Sequence, residues 1–158
     1  MQVCTTIAAL RASLLSLRRA GKSIGLVPTM GYLHVGHMEL VKTSKAHCDI
    51  TVVTIFVNPT QFAAGEDLST YPRDLDRDLA MLKAEGADFV FTPDVQEMYP
   101  GNEETIVETV KLSKVLMGKI RPGHFRGVAT VCTKLFNIAS PDKAFFGEKD
   151  YQQVAVIK

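Results

Sequence analysis

The residues with the most chemical content fall in one turn, Pro28-Thr29-Met30-Gly31-Tyr32-Leu33-His34-Val35-Gly36-His37. Two imidazoles flank a glycine, and at i and i+3 they share one face of a helix start. An apolar run, Ile24 to Val27, precedes the turn, and an amphipathic stretch, Met38 to His47, follows it. This pattern predicts a strand ending in a glycine-bearing turn that opens a helix. Unpaired amides and the helix dipole favour anions there. Each imidazole can donate to a phosphate oxygen, and Gly36 admits a phosphate without a Cβ in the way. The implied chemistry is the holding of a triphosphate. Such a short motif also occurs by chance on surface turns, so its weight comes from the flanking elements and the rest of the chain.

Two other segments carry polar groups after predicted strands. Asn58-Pro59-Thr60-Gln61-Phe62 offers two side-chain amides, suited to a small substrate with hydroxyls and a carboxylate. Asn-Pro is also an ordinary turn pair. In Gly147-Glu148-Lys149-Asp150 the lysine can neutralise a phosphate and the aspartate can accept from ribose hydroxyls. Asp150 also suits the cap of the last helix, and Gln153 lies one turn on. Arg121 to Gly127 is a basic, glycine-bearing stretch that could cover phosphates or lie solvated. Asp74, Asp76 and Asp78 satisfy a helix dipole, with a magnesium role for Asp78 as the weaker reading. His47 reads as a helix-end histidine.

These segments need elements to position them. A first helix is expected after Thr5 or Thr6, with Ile7, Leu10, Leu14 and Leu17 on one face and Gly21 at its end. Strands follow at Ile24–Pro28, Ile50–Val57, Phe89–Phe91 and Lys143–Phe146, with another at Thr105–Val110. Helices are expected from Gly36 to His47, from Pro72 with its stripe of Leu75, Leu79 and Leu82, along Val128, Val131, Cys132, Leu135 and Ile138, and from Tyr151. Alternating strands and helices imply an α/β domain, mostly parallel, with helices on both faces. Ligands in such sheets sit at the carboxyl ends of strands. The turns at Thr29–His37, Asn58–Phe62 and Gly147–Asp150 all fall at those ends, so they converge on one edge.

The bulk properties narrow the partners. The 158 residues suit one domain, and 46% hydrophobic with 22% charged residues is a globular balance. A net charge of +1 gives no general attraction to nucleic acid or to an acidic membrane. No run is long enough to span a bilayer. Cys4, Cys48 and Cys132 are scattered, as free thiols in a reducing compartment are, and form no zinc pattern. Residues 1–20 are basic and acid-free, like an organelle transit segment. The better reading is the first helix of the fold, with a strand following at once, and a cytoplasmic protein.

As a set, Val27–His37, Phe56–Phe62, Tyr71-Pro72-Arg73, Met98-Tyr99-Pro100, Arg121–Gly127 and Phe146–Gln153 resemble the pantoate–β-alanine ligase family, over nearly the whole chain and in the family's order. The resemblance implies a Rossmann-like nucleotidyltransferase domain, with His34-Val35-Gly36-His37 as a variant of the His-Ile-Gly-His motif. It implies an ATP-dependent, AMP-forming ligase that condenses pantoate with β-alanine through pantoyl adenylate, with magnesium accompanying ATP. Met30, Gly31, Tyr32, Leu33, His34, Val35, Gly36 and His37 would hold ATP, together with Gly147, Glu148, Lys149 and Asp150. His34, His37 and Lys149 would be catalytic, His37 as proton donor. Gln61 would contact pantoate and β-alanine, Asn58 and Gln153 pantoate, and Pro28, Thr29 and Tyr71 would complete the substrate pocket. The metal ligands are unassigned. A homodimer is implied, with no nucleic acid or membrane partner.

Family members continue beyond the point matching Lys158, into a smaller domain whose leading loop closes over the phosphates. The expectation is therefore an N-terminal domain at residues 1–158, lacking that lid and weakly active or inactive alone. Two alternatives stand beside it. One is a related nucleotidyltransferase acting on another small acceptor. The other is a non-catalytic nucleotide-binding or dimerisation module.

Overall fold

The computed structural model describes residues 1–62, 66 and 68–158. Its strands are β1 (Gln2–Cys4), β2 (Ile24–Thr29), β3 (Ile50–Ile55), β4 (Phe89–Phe91) and β5 (Lys143–Ala144). They form one parallel sheet in the order β1-β4-β3-β2-β5. The long helices are α1 (Ile7–Arg19), α2 (Val35–His47), α3 (Leu75–Glu85) and α6 (His124–Ala139). Single turns α4 (Val95–Met98) and α5 (Met117–Ile120) link them, and α7 (Tyr151–Ile157) follows β5.

The strands are apolar on both faces because both are covered. Ile24, Leu26, Val52 and Phe91 pack with Leu10 and Leu14 of α1 and Val131 and Leu135 of α6. Val27, Val53 and Val90 pack with Met38 and Val41 of α2 and Leu82 of α3. This is the expected α/β architecture, in three layers. From β2 the chain steps to β3 and β4, then returns to place β5 on the other side of β2. The order thus reverses beside β2, and the crevice at that switch lies outside the carboxyl ends of β2, β3 and β5.

Several boundaries differ from expectation. β1 precedes the first helix and pairs in register with β4, Val3 opposite Val90. Three residues at a sheet edge leave no periodicity to read. α3 starts at Leu75 rather than Pro72, because Asp74 accepts from the Arg77 N–H at 3.1 Å and takes the cap. Thr105–Val110 is not a strand. Thr130 Oγ1 on α6 accepts from the Val107 N–H at 3.0 Å and donates to its carbonyl at 3.2 Å, so a side chain serves the backbone that a neighbouring strand would have served. β3 ends at Ile55, before Val57. β5 is only two residues long, and Phe145 N–H to Leu26 C=O at 2.9 Å is the last bond before the chain leaves the sheet.

Candidate active site

The turn after β2 is held from inside. Thr29 Oγ1 donates to the Thr54 carbonyl at 2.6 Å and accepts from the Gly31 N–H at 3.2 Å. Gly31 (φ 83°) and Tyr32 (φ 52°) are successive left-handed residues, a conformation that costs a non-glycine residue energy. His34 caps α2, its Nδ1 accepting from the Gly36 N–H at 3.1 Å. His37 Nδ1 accepts in return from the His34 N–H at 3.4 Å. This is a reciprocal capping box with imidazoles in place of hydroxyl and carboxylate. The ring centroids are 4.1 Å apart.

The cap decides the tautomer. Both Nδ1 atoms accept, so each neutral ring carries its hydrogen on Nε2 and can donate it outward. The first turn of α2 itself carries no acidic residue. The position of Gly36 is also fixed by packing. A Cβ there would sit 2.9 Å from His34 Cε1 and 3.1 Å from Nδ1, so glycine makes room for the capping ring. His37 is half-buried. Burial pushes its pKa below the ordinary value, the charge of His34 adds to that, and Asp78 opposes it.

The loop after β3 is tied to this turn and to α6. Asn58 is buried, and its amide is fully engaged. Oδ1 accepts from Thr60 Oγ1 and the Tyr99 hydroxyl, both at 2.9 Å. Nδ2 donates to Gln61 Oε1 at 3.1 Å and to the Gly127 carbonyl at 3.2 Å. Gln61 Nε2 in turn approaches Met30 Sδ at 3.1 Å. A Cβ on Gly127 would collide with the Thr60 carbonyl and lie 2.7 Å from Gln61 Cα, so this glycine lets α6 seat on the loop.

Arg121 to Gly127 is not a solvated loop. His124 is buried and donates from Nδ1 to the Gln61 carbonyl at 2.8 Å. Its Nε2 then accepts from Arg121 Nη1 at 3.2 Å. Arg121 also grips Glu66 with two bonds of 2.6 Å. Burial pushes the His124 pKa down, only partly offset by the bond to Gln61.

These parts surround a cavity of about 220 Å³. Pro28, Thr29, Met30, Gly31 and His37 come from the first turn, Asn58 and Gln61 from the second, and Asp150 and Gln153 from the third, with Tyr71 beside them. A second cavity of about 410 Å³ shares Met30, Gln61, Tyr71, Asp150 and Gln153, and adds Lys149 and Arg121. The two make one cleft. Asp150 stands at the cap position of α7, yet its side chain makes no capping bond, contrary to the capping alternative. Gly147, Glu148 and Lys149 are exposed beside it.

Some expected residues lie elsewhere. Leu33 is buried in the core under the turn. Tyr32 faces a separate hollow with Asp78 and Arg73. His34, Val35 and Gly36 are exposed at the head of α2 and line none of the hollows described. Sequence reasoning missed the apolar wall of the cleft, which is Val128, Val131, Cys132 and Leu135 of α6 with Phe56 and Phe146. Their helical spacing marks a buried face but not that part of it borders a cavity. Burial pushes the Cys132 thiol up to about 12.

A parallel α/β sheet whose switch-point turn carries His-x-Gly-His at a helix head is the nucleotidyltransferase type of domain. Residues 2–158 match the pantoate–β-alanine ligase family, and the chain belongs to it. It is 64% identical over 158 residues to the pantothenate synthetase of Rhizobium rhizogenes and 60% identical to that of Rhizobium meliloti, covering 54% of each. The chain therefore spans about half the length of the curated relatives it matches. Pantothenate synthetase from Thermus thermophilus superposes with a TM-score of 0.93 at 48% identity, over 99% of this chain and 55% of that one. Pantoate-β-alanine ligase from Francisella tularensis, complexed with β,γ-ATP and β-alanine, gives 0.94 at 41% identity, over 99% and 60%.

Proposed function

We propose that residues 1–158 are the ATP- and pantoate-binding domain of a pantothenate-forming ligase. The observation that carries this is the single cleft into which the three strand-end loops bring His37, Gln61 and Asp150, with Lys149 alongside. In this reading the phosphates lie against the head of α2, where His34 and His37 donate from Nε2 and Lys149 supplies a cation. The ribose hydroxyls meet Asp150. Pantoate lies deeper, its carboxylate and hydroxyls near Gln61 and Gln153, its dimethyl carbon against the α6 wall. Asn58 acts on it through Gln61, which it orients.

The chemistry suits this arrangement. A pantoate carboxylate oxygen attacks the α-phosphorus, the bond to the β-phosphate bridge breaks, and pyrophosphate leaves. Charge gathers on phosphate oxygens, where each preorganised donor is worth about 3–4 kcal/mol. The amine of β-alanine then attacks the acyl carbon, AMP leaves, and the nitrogen loses a proton to give the amide. The apolar wall limits water around the mixed anhydride. Among the described residues, no three His, Cys, Asp or Glu gather into a metal site. Magnesium accompanying ATP would supply charge neutralisation on the phosphates, beside the donors of His34, His37 and Lys149.

The three unpaired cysteines support a reducing, cytoplasmic setting. Among the described residues no helix is long and apolar enough to cross a membrane. The exposed Ile106, Val110, Leu116 and Ile120, at 61–79% of full exposure, support pairing with a second copy through residues 106–120. Light scattering that finds only monomer would refute that pairing. Isothermal titration tests the main proposal. ATP and pantoate should each bind, and pantoate more tightly with ATP present. No heat from either would reject it, and preference for another hydroxy acid would redirect it to a related transferase.

A further inference from the structure

Asp78 is the one buried carboxylate among the described residues, and its bonds leave its own helix. Oδ2 accepts from the Tyr32 N–H and Oδ1 from the Leu33 N–H, each at 2.7 Å. Arg77 Nη1 stands 3.7 Å from Oδ1, and the same guanidinium lies over the Tyr32 ring, 5.4 Å from its centroid. One of the two amides belongs to Tyr32, the second residue of the left-handed pair with Gly31, and the other to Leu33, which leads directly into His34. We propose that Asp78 is a positioning residue for the nucleotide turn, its carboxylate fixing the strained backbone that aims His34 and His37 at the phosphates. This rests on the nucleotide reading above.

A carboxylate is the group this place needs. Two N–H groups converge on it, and only an acceptor-only side chain satisfies both with charge-assisted bonds. An asparagine would turn an NH2 toward one of them. A buried charge is unfavourable unless it is paired in this way, so the position would be apolar if it served packing alone. Neither the α3 dipole nor a magnesium role for Asp78 accounts for these bonds.

The negative charge has a second effect. The ionisable groups around His37 are His34 on its own turn, Asp78 and Arg77 on α3, and Tyr71 and Asp150 across the cavity. Burial and His34 disfavour a proton on His37, and Asp78 favours it. Asp78 therefore both sets the direction of the histidines and keeps His37 closer to protonation.

The test is Asp78→Asn, read by amide exchange, NMR titration of the histidines and titration with ATP. The Tyr32 and Leu33 amides should exchange at least tenfold faster, and ATP should bind at least tenfold more weakly. The His37 midpoint should move down while that of His124, also buried, stays in place. A role in packing alone would lower Tm and leave the Tyr32 and Leu33 exchange rates and the ATP affinity unmoved, and that result would overturn the proposal. Should the variant not fold, exchange in the unaltered chain decides. Tyr32 and Leu33 amides as protected as those of β3 support the proposal, and amides exchanging at open-loop rates overturn it. Failure of the unaltered chain to bind ATP would sink the nucleotide reading, while the exchange and midpoint data would still judge Asp78.

Discussion

The turn after β2 and the loop after β5 face the same cleft and are held in opposite ways. In the first, Thr29, Asp78 and the two histidines satisfy the backbone amides of Gly31, Tyr32, Leu33, His34 and Gly36. In the second, Lys149 makes no ion pair among the described residues and Asp150 makes no capping bond. One side of the cleft is tied down by the chain itself. The other is not held by such side-chain bonds among the described residues. Substitutions on the first side should therefore cost stability and binding together, and those on the second should cost binding alone.

The strongest challenge to this contrast is Gly127→Ala. Its Cβ meets the backbone of Thr60 and Gln61, which cannot yield as a side chain would. It should destabilise the fold by about 3 kcal/mol and weaken pantoate binding as well. Unchanged thermal unfolding would mean that α6 is not seated as described.

Lys149→Ala probes the open side. ATP affinity should fall about 10- to 100-fold, the worth of a charged hydrogen bond, with Tm unchanged. A clear drop in Tm would show that the loop after β5 is also held by the chain.

Thr54→Val sharpens the contrast from beneath. Thr54 Oγ1 is buried without a partner among the described residues, while the Thr54 carbonyl takes the Thr29 bond. Valine keeps the carbonyl and removes the unmet hydroxyl, so chemical denaturation should find a gain of about 1 kcal/mol. A loss would mean that the hydroxyl has a water or ligand partner.

The gentlest perturbation is pH. The folded pKa values of His37 and His124 lie below the ordinary 6.5, so the unfolded chain binds more protons in that window. Their contribution is complete above about pH 6.5 and is lost as pH falls through their folded values. Tm should decrease between about pH 7.5 and 5.5, and His37→Gln should flatten part of the slope. Asp49, held at about 2 chiefly by the Ser23 backbone bond, acts far below this range. A Tm that rises on acidification would contradict the sign.

Much of this was legible from residue types. His34, His37, Gln61 and Lys149 each stand just after an apolar run, and strand-end chemistry in a parallel sheet points to one edge. Other features had no local signal. Asp78 looks like any acid near a helix start until Tyr32 and Leu33 are seen 45 or so residues away in sequence, at hydrogen-bond distance. Glu66 and Arg121 are likewise joined only by the fold. Asn58 was legible as a polar group after a strand, but not its bonds, because only the structure shows Tyr99 and Gly127 occupying its amide.

The wall of α6 has a practical consequence for inhibitors. With its thiol near 12, Cys132 is roughly one part in 10⁵ thiolate at neutral pH. Electrophilic warheads delivered to the cleft would therefore find a sulfur that hardly reacts. Compounds aimed at this pocket would have to rely on reversible contact, treating Cys132 as a small greasy surface.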